Sequence, residues 1–327
     1  MNKDATTAPP RPADALRERG QAADRIFAAV THMSAALVLL VIGAVVLILV
    51  IGAWPAIRKF GFGFIGTGEW NPVTERFGAL VPIYGTLVTS LIAMLIGVPV
   101  SFGIAVFITE LCPRWLKRPV GIAIELLAAI PSIIYGIWGL FVFAPLFADH
   151  VQPWVSEHIG DWPLVGSLFQ GPPLGIGVLT AGIILAIMII PFMSAVMRDI
   201  FEVVPTVLKE SAYAMGATTW EVVRHVILPY TKSGVVGGMM LGLGRAMGET
   251  MAVTFVIGNA YDINTSLFMP GNTISSTLAN EFTEAVSPVY SAALIELGLI
   301  LFLVMLVIIS LAKLLLFRMT AKERRGA

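Results

Sequence analysis

Charge is scarce in this chain. Of its 327 residues only 13% are charged, against about 25% in soluble domains, while 57% are hydrophobic. So few charges cannot coat a globule of this length in water, which excludes a soluble domain and leaves a polytopic membrane protein. The 21 basic residues balance the 21 acidic ones, so the total says nothing about charged partners and the distribution along the chain carries the information; no nucleic acid is expected as a partner. There is one cysteine, Cys112, which rules out an internal disulfide and a cysteine metal site. His150 and His158 stand in a loop with no cysteine near them and do not make a metal motif. No metal and no cofactor is expected. The patterns G-x-x-x-x-G-K-[ST], H-E-x-x-H, G-x-S-x-G and C-x-x-C are all missing, and no pair of carboxylates has a catalytic setting. The chain is therefore not expected to be an enzyme, and energy from a nucleotide must enter through another subunit.

What is abundant is long apolar sequence. Six runs approach the roughly 20 residues needed to cross a hydrocarbon core of about 30 Å. They lie at about 26–52, 84–108, 120–147, 174–196, 234–258 and 292–317, which predicts an all-α protein whose solvent is the lipid bilayer. Residues 1–25 read as a disordered cytoplasmic tail, 26–317 as the membrane domain and 318–327 as a second cytoplasmic tail. Basic residues set the orientation. Seventeen fall on one side: Lys3, Arg11, Arg17, Arg19 and Arg25 in the tail, Arg114, Lys117 and Arg118, then Arg198, Lys209, Arg224 and Lys232, and finally Lys313, Arg318, Lys322, Arg324 and Arg325. Only Arg58, Lys59 and Arg76 fall on the other, so both termini are expected in the cytoplasm. The first apolar run is too long for a signal peptide and lacks a small-x-small cleavage site, so it reads as an uncleaved span.

Between the fourth and fifth runs lies a polar segment, ESAYAMGATTWEVVRHVILP, from Glu210 to Pro229. Thr206 to Met215 suits a helix, Gly216 a break, and Thr218 with Glu221 three residues later a capping box that opens a second helix. Pro229 is expected to end that helix. This register resembles the cytoplasmic signature of ABC importer permeases, which fits a groove on the ATPase subunit. Glu210, Ala212, Gly216, Leu228 and Pro229 match the signature, and Ser211 and Val226 are mild departures. The resemblance implies that residues 206–229 are coupling helices that dock an ATPase.

The fifth run, GVVGGMMLGLGRAMGETMAV, carries the remaining basic residue, Arg245. On a helix Gly234, Gly238, Gly242, Arg245 and Glu249 share one face, and Arg245 falls near mid-membrane. An uncompensated arginine there costs at least about 2.5 kcal/mol, so it must face protein or water. Two readings stand open: Arg245 and Glu249 form a structural ion pair, or Arg245 attracts an anion on a translocation path while Glu249 orients it. The glycines, spaced at four, predict close approach of a partner helix at the centre of an assembly.

Other intramembrane groups say less. Pro131, with Ser132 and Tyr135, should bend the third span and free a carbonyl, as a packing bend or a gate. Glu125 is expected to reach the cytoplasmic interface. Glu296 either bonds to a neighbouring helix or touches the path.

Four runs together are similar to the PstC-type permease of the phosphate-specific ABC importer: RAMGETMAVTFVIGN from Arg245, MPGNTISSTLANEFTEA from Met269, AAIPSIIYGIWG from Ala128 and WNPVTERFGALVPIYGTLVTS from Trp70. The resemblance implies a type I ABC importer permease fold and passage of phosphate past Arg245 and Glu249. It also implies a heterodimer with a PstA-type permease, a PstB-type ATPase dimer and an external PstS-type phosphate-binding protein. The Arg-Ala-x-Gly-Glu-Thr pattern is shared with the sister PstA-type permease; the Met-Pro-Gly-Asn and Ala-Asn-Glu-Phe runs favour the PstC type. The rival readings are a permease for another oxyanion, such as sulfate or molybdate, and an ion-coupled secondary transporter or channel that uses the same buried pair.

Overall fold

A computed structural model describes residues 12–163 and 165–326, without the side chains of 12–23, 315, 316 and 318–326. Among the described residues there is no β-strand, only an isolated bridge between Asn71 and Arg76. Apart from short turns at Gly63–Gly66 and Gly166–Phe169, the described helices are α1 (Pro12–Phe60), α2 (Leu80–Leu111), α3 (Arg114–Ala128), α4 (Ser132–Ile159), α5 (Val178–Glu202), α6 (Thr206–Ala214), α7 (Thr219–Gly248), α8 (Met251–Val256), α9 (Ile274–Glu281) and α10 (Pro288–Gly326). Six of the described helices, α1, α2, α4, α5, α7 and α10, are long and apolar enough to cross a membrane.

The chain divides into two units, one ending at Gly52 and one starting at Ala53. The described part of the first is a single apolar helix. In the second, α5 is the hub: Ile184, Leu185, Met188, Ile189, Met193, Met197 and Phe201 are almost fully buried. Lipid tails are as apolar as leucine, so these helices are held by close packing and cross-helix hydrogen bonds rather than by expulsion of water. Gly97 on α2 lies against Ile189, Gly182 on α5 lies against Ile92, and Ser101 Oγ donates to the Ile190 carbonyl at 3.2 Å. A second cluster, of Phe64, Trp70, Phe77, Tyr290, Leu294 and Leu297, closes the end of the unit that holds the first loop. There Trp70 stacks on Tyr261 at 5.5 Å, and the Tyr261 hydroxyl donates to Glu281. Burial, with the adjacent carboxylate, pushes the Tyr261 hydroxyl far above its ordinary range.

Three boundaries differ from the sequence-based expectation. Residues 12–25, expected to be disordered, belong to α1; residues 1–11 lie outside the described residues. At the other end of the chain, α10 continues through 318–326. The expected third span is cut at 129–131, because Pro131 has no N–H and turns its predecessor away from the helical region; α3 is a separate amphipathic helix and the apolar span starts at Ser132. Finally, α7 runs unbroken through Pro229. A π turn, Val223–Ile227, precedes the proline and opens the ladder where its ring would otherwise meet the His225 carbonyl. Thr231 Oγ1 then donates to the Ile227 carbonyl at 2.7 Å.

Candidate functional site

Two places in the second unit gather the polar groups that an apolar chain can ill leave unpaired. At the first, α7 ends at Gly248, and Glu249 adopts an extended backbone (φ −69°, ψ 128°) before α8 resumes at Met251. This corrects the expectation of a continuous helix with Arg245 and Glu249 one turn apart. The Glu249 carboxylate turns forward instead, and its Oε1 accepts a hydrogen bond from the Ala252 amide at 3.2 Å, capping α8. Among the described residues, Arg245 belongs to no ion pair. Its guanidinium lies over the Phe192 ring of α5, 5.3 Å from the centroid, half-buried and within electrostatic reach of Tyr135. A cation held on a ring face keeps its forked N–H donors free for an anion.

The glycine stripe points a different way from its prediction. Gly234, Gly238 and Gly242 face Ile200, Val196 and Met193 of this chain's own α5; a Cβ at Gly234 would stand 2.8 Å from Ile200 Cγ2. The stripe therefore presses Arg245 onto α5 rather than onto a helix of another chain. Gly237, Gly244 and Gly248, on the neighbouring face, have open space beside them.

The bend at Pro131 adjoins this place. The N–H that a helical residue 131 would offer to the Leu127 carbonyl is missing, and the Tyr135 hydroxyl donates to that carbonyl at 3.0 Å. Ser132 is the first residue of α4. One turn on, Gly136 is so close to α8 that a Cβ would come within 3.0 Å of the Ala252 Cα. The bend in one span and the break in another thus share a contact, which also joins two of the family-like runs. A second crossing joins the other two: Thr86 Oγ1 accepts from the Ile274 amide at 2.9 Å.

At the second place, Thr218 and Glu221 form the expected capping box, with the Thr218 amide donating to Glu221 at 2.8 Å. Gly216 has φ +89°, a conformation that only glycine adopts without strain. Glu210, Ser211 and Pro229 are exposed, Leu228 is half-buried and Ala212 is buried. Around them Val207, Met215 and Trp220 leave apolar surface uncovered, with Met215 83% exposed. Underneath, Lys209 Nζ meets Glu110 Oε1 at 2.6 Å, with side chains only 16% and 6% exposed. This pair bolts α6 to the end of α2. Sequence reasoning missed it because its partners are 99 positions apart and neither follows a motif. It missed Phe192 for the same reason. Glu125 does reach a polar partner, Arg198 at 2.9 Å, and Glu296 is buried with Oε2 unpaired among the described residues.

Residues 97–321 match the model of a family described as "binding-protein-dependent transport system inner membrane component". The chain belongs to that family. It is 59% identical over 300 residues to the phosphate transport system permease protein PstC of Pasteurella multocida, covering 92% of this chain and 93% of that protein. It is 57% identical over 309 residues to the protein of the same name from Mesorhizobium japonicum, covering 94% of each. Among solved structures, a bacterial alginate ABC transporter in complex with an alginate-bound periplasmic protein superimposes with a TM-score of 0.58 at 17% identity, over 95% of this chain and 99% of that one. That likeness is one of fold: an all-α, six-span ABC importer permease. The chain is a multi-pass inner-membrane component.

Proposed function

We propose that this chain forms, with a PstA-type permease, the pathway for import of inorganic phosphate, driven by a PstB-type ATPase dimer and fed by a PstS-type phosphate-binding protein. Both termini are cytoplasmic in this reading, which the distribution of basic residues supports. The observation that carries it is Arg245, a half-buried cation with no ion pair among the described residues, at the end of a helix broken within the bilayer, in a chain 59% identical to a phosphate permease. Broken helices at membrane depth recur at transport sites because they expose polar backbone to a cavity rather than to lipid.

Coupling follows from the course of α7. Thr219, in the docking segment, and Arg245 lie on one helix, about 39 Å apart at 1.5 Å per residue. Glu210, Ser211, Gly216, Leu228 and Pro229 dock the ATPase together with the exposed apolar face around Met215 and Trp220, while the buried Ala212 seats α6 on the chain's own core beneath them. Closure of the ATPases moves α6 and the start of α7 together, and α7 carries the movement to Arg245 as a strut. Lys209 and Glu110 pass the same movement to α2. Arg245 draws the oxyanion, and Glu249 sets the break that exposes it. Pro131, Ser132 and Tyr135 form the gate, since their bend touches α8. The open face of Gly237, Gly244 and Gly248 receives the second permease.

The test is ATP-dependent uptake into proteoliposomes holding the chain, its partner permease, the ATPase and the binding protein. Phosphate should enter, and sulfate and molybdate should not compete. Uptake that persists with the ATPase omitted, driven by an ion gradient, overturns the reading in favour of a secondary transporter.

A further inference from the structure

The amphipathic helix α3 has no part in either place described above, yet it forms one wall of a cleft of about 340 Å³. Arg114, Lys117, Arg118 and Arg198 line that cleft together with Glu125 and Glu202. Both carboxylates are already used: Glu202 pairs with Lys117 at 3.0 Å and Glu125 with Arg198 Nη2 at 2.9 Å. Asp199 takes the same Nη2 and the Nε of Arg198. That leaves Arg114 and Arg118 without an ion pair among the described residues, and Arg198 Nη1 without a hydrogen bond. Nη1 lies over Gly121, where a Cβ would come within 2.8 Å of it, so the glycine makes the floor that the guanidinium occupies.

A second stripe runs beside the first. Positions 114, 118, 121 and 125 share one face of α3, and positions 115, 122 and 126 share a face about 100° round the helix. The latter carries Trp115, Ile122 and Leu126, all exposed, with Trp115 at 77%. A ligand matched to both stripes has a phosphate group joined to long apolar chains.

We propose that the cleft holds the phosphodiester headgroup of an anionic phospholipid, with Arg114, Arg118 and Arg198 Nη1 on its oxygens and the acyl chains along Trp115, Ile122 and Leu126. Free phosphate offers the same oxygens but leaves the apolar stripe uncovered. The proposal rests on the charge-derived topology only for the leaflet, which is the cytoplasmic one; it does not depend on what is transported.

The full chain, purified in detergent, should be titrated with dioleoyl phosphatidylglycerol and with dioleoyl phosphatidylcholine while bound lipid is counted by native mass spectrometry. Phosphatidylglycerol should bind at least tenfold more tightly. The R114Q/R118Q variant should lose roughly thirtyfold, as expected for two basic residues at a lipid surface. Arg76→Gln, in the first loop, should bind as the unaltered chain does and shows that a change of total charge is not the cause. Equal binding of phosphatidylglycerol by R114Q/R118Q overturns the proposal. So does displacement of the lipid by millimolar inorganic phosphate, which would make the cleft a site for the free anion. The leaflet is read separately, from a membrane-impermeant maleimide on the native Cys112 beside α3: labelling only in inside-out vesicles supports the cytoplasmic leaflet, and labelling from outside overturns that assignment alone.

Discussion

Replacing Lys209 by methionine strands Glu110. At 2.6 Å the direct attraction between the two is about 6 kcal/mol for an effective dielectric constant of about 20. Desolvation of both ions offsets most of that, so the pair as a whole adds little to stability. Breaking it from one side is different, because a carboxylate that is only 6% exposed then loses its counter-ion, at a cost of about 3–5 kcal/mol. The same follows for Glu110→Gln, which leaves the ammonium of Lys209 facing an amide, at the lower end of that range. The double variant, with both charges gone, should recover most of the loss. Since α6 is tied to α2 by this pair, the loss should appear as local opening of α6. Chymotrypsin cleavage at Leu208 and Tyr213, both exposed, reads it: each 1.4 kcal/mol is tenfold, so Lys209→Met should speed nicking by between about a hundredfold and a few thousandfold. The co-purifying ATPase should fall in parallel, and both should return in the double variant. Nicking of Lys209→Met at the original rate, or a double variant as labile as the single ones, would refute the reasoning.

Gly216→Ala has room for its Cβ, with nothing within 4 Å, so its penalty is that of a left-handed backbone, about 1–2 kcal/mol; the ATPase should be lost from pull-downs while the spans stay folded. Tyr135→Phe removes the second donor to the Leu127 carbonyl, which keeps only the Ile130 amide at 3.3 Å, so thermal stability in detergent should drop by about 1 kcal/mol and uptake should slow. Hydrogen bonds from Lys59, and then Ser287, hold Glu75 below its ordinary value of 4.5. Its contribution to the 71–76 hairpin is complete above that value and is lost as pH falls through the lowered one, so the protection factors of the hairpin amides, each taken relative to the intrinsic exchange rate at that pH, should be flat from about pH 5 to 8 and fall only in stronger acid.

The spans and the helix–turn–helix from Thr206 onward were legible because each rests on local sequence. Apolar runs of span length, the capping pair Thr218 and Glu221, and the left-handed Gly216 all announce themselves within a few residues. The errors came where a local rule met a tertiary competitor. Pro229 reads as a stop, but the π turn before it absorbs the ring. Arg245 and Glu249 read as a pair at helical spacing, but the helix breaks and the carboxylate finds the Ala252 amide first. The glycine stripe correctly announced a close helix, yet only packing reveals that the neighbour is the chain's own α5. Nothing in periodicity points to Lys209 meeting Glu110 or to Arg245 over Phe192, since such contacts are fixed only once distant helices align.

The central claim is that an unpaired Arg245 carries the anion. Its most direct test is phosphate uptake by Arg245→Gln in proteoliposomes with the partner permease, the ATPase and the binding protein. The account predicts that uptake is abolished while the ATPase still co-purifies in full amount. Uptake at the unaltered rate would contradict it.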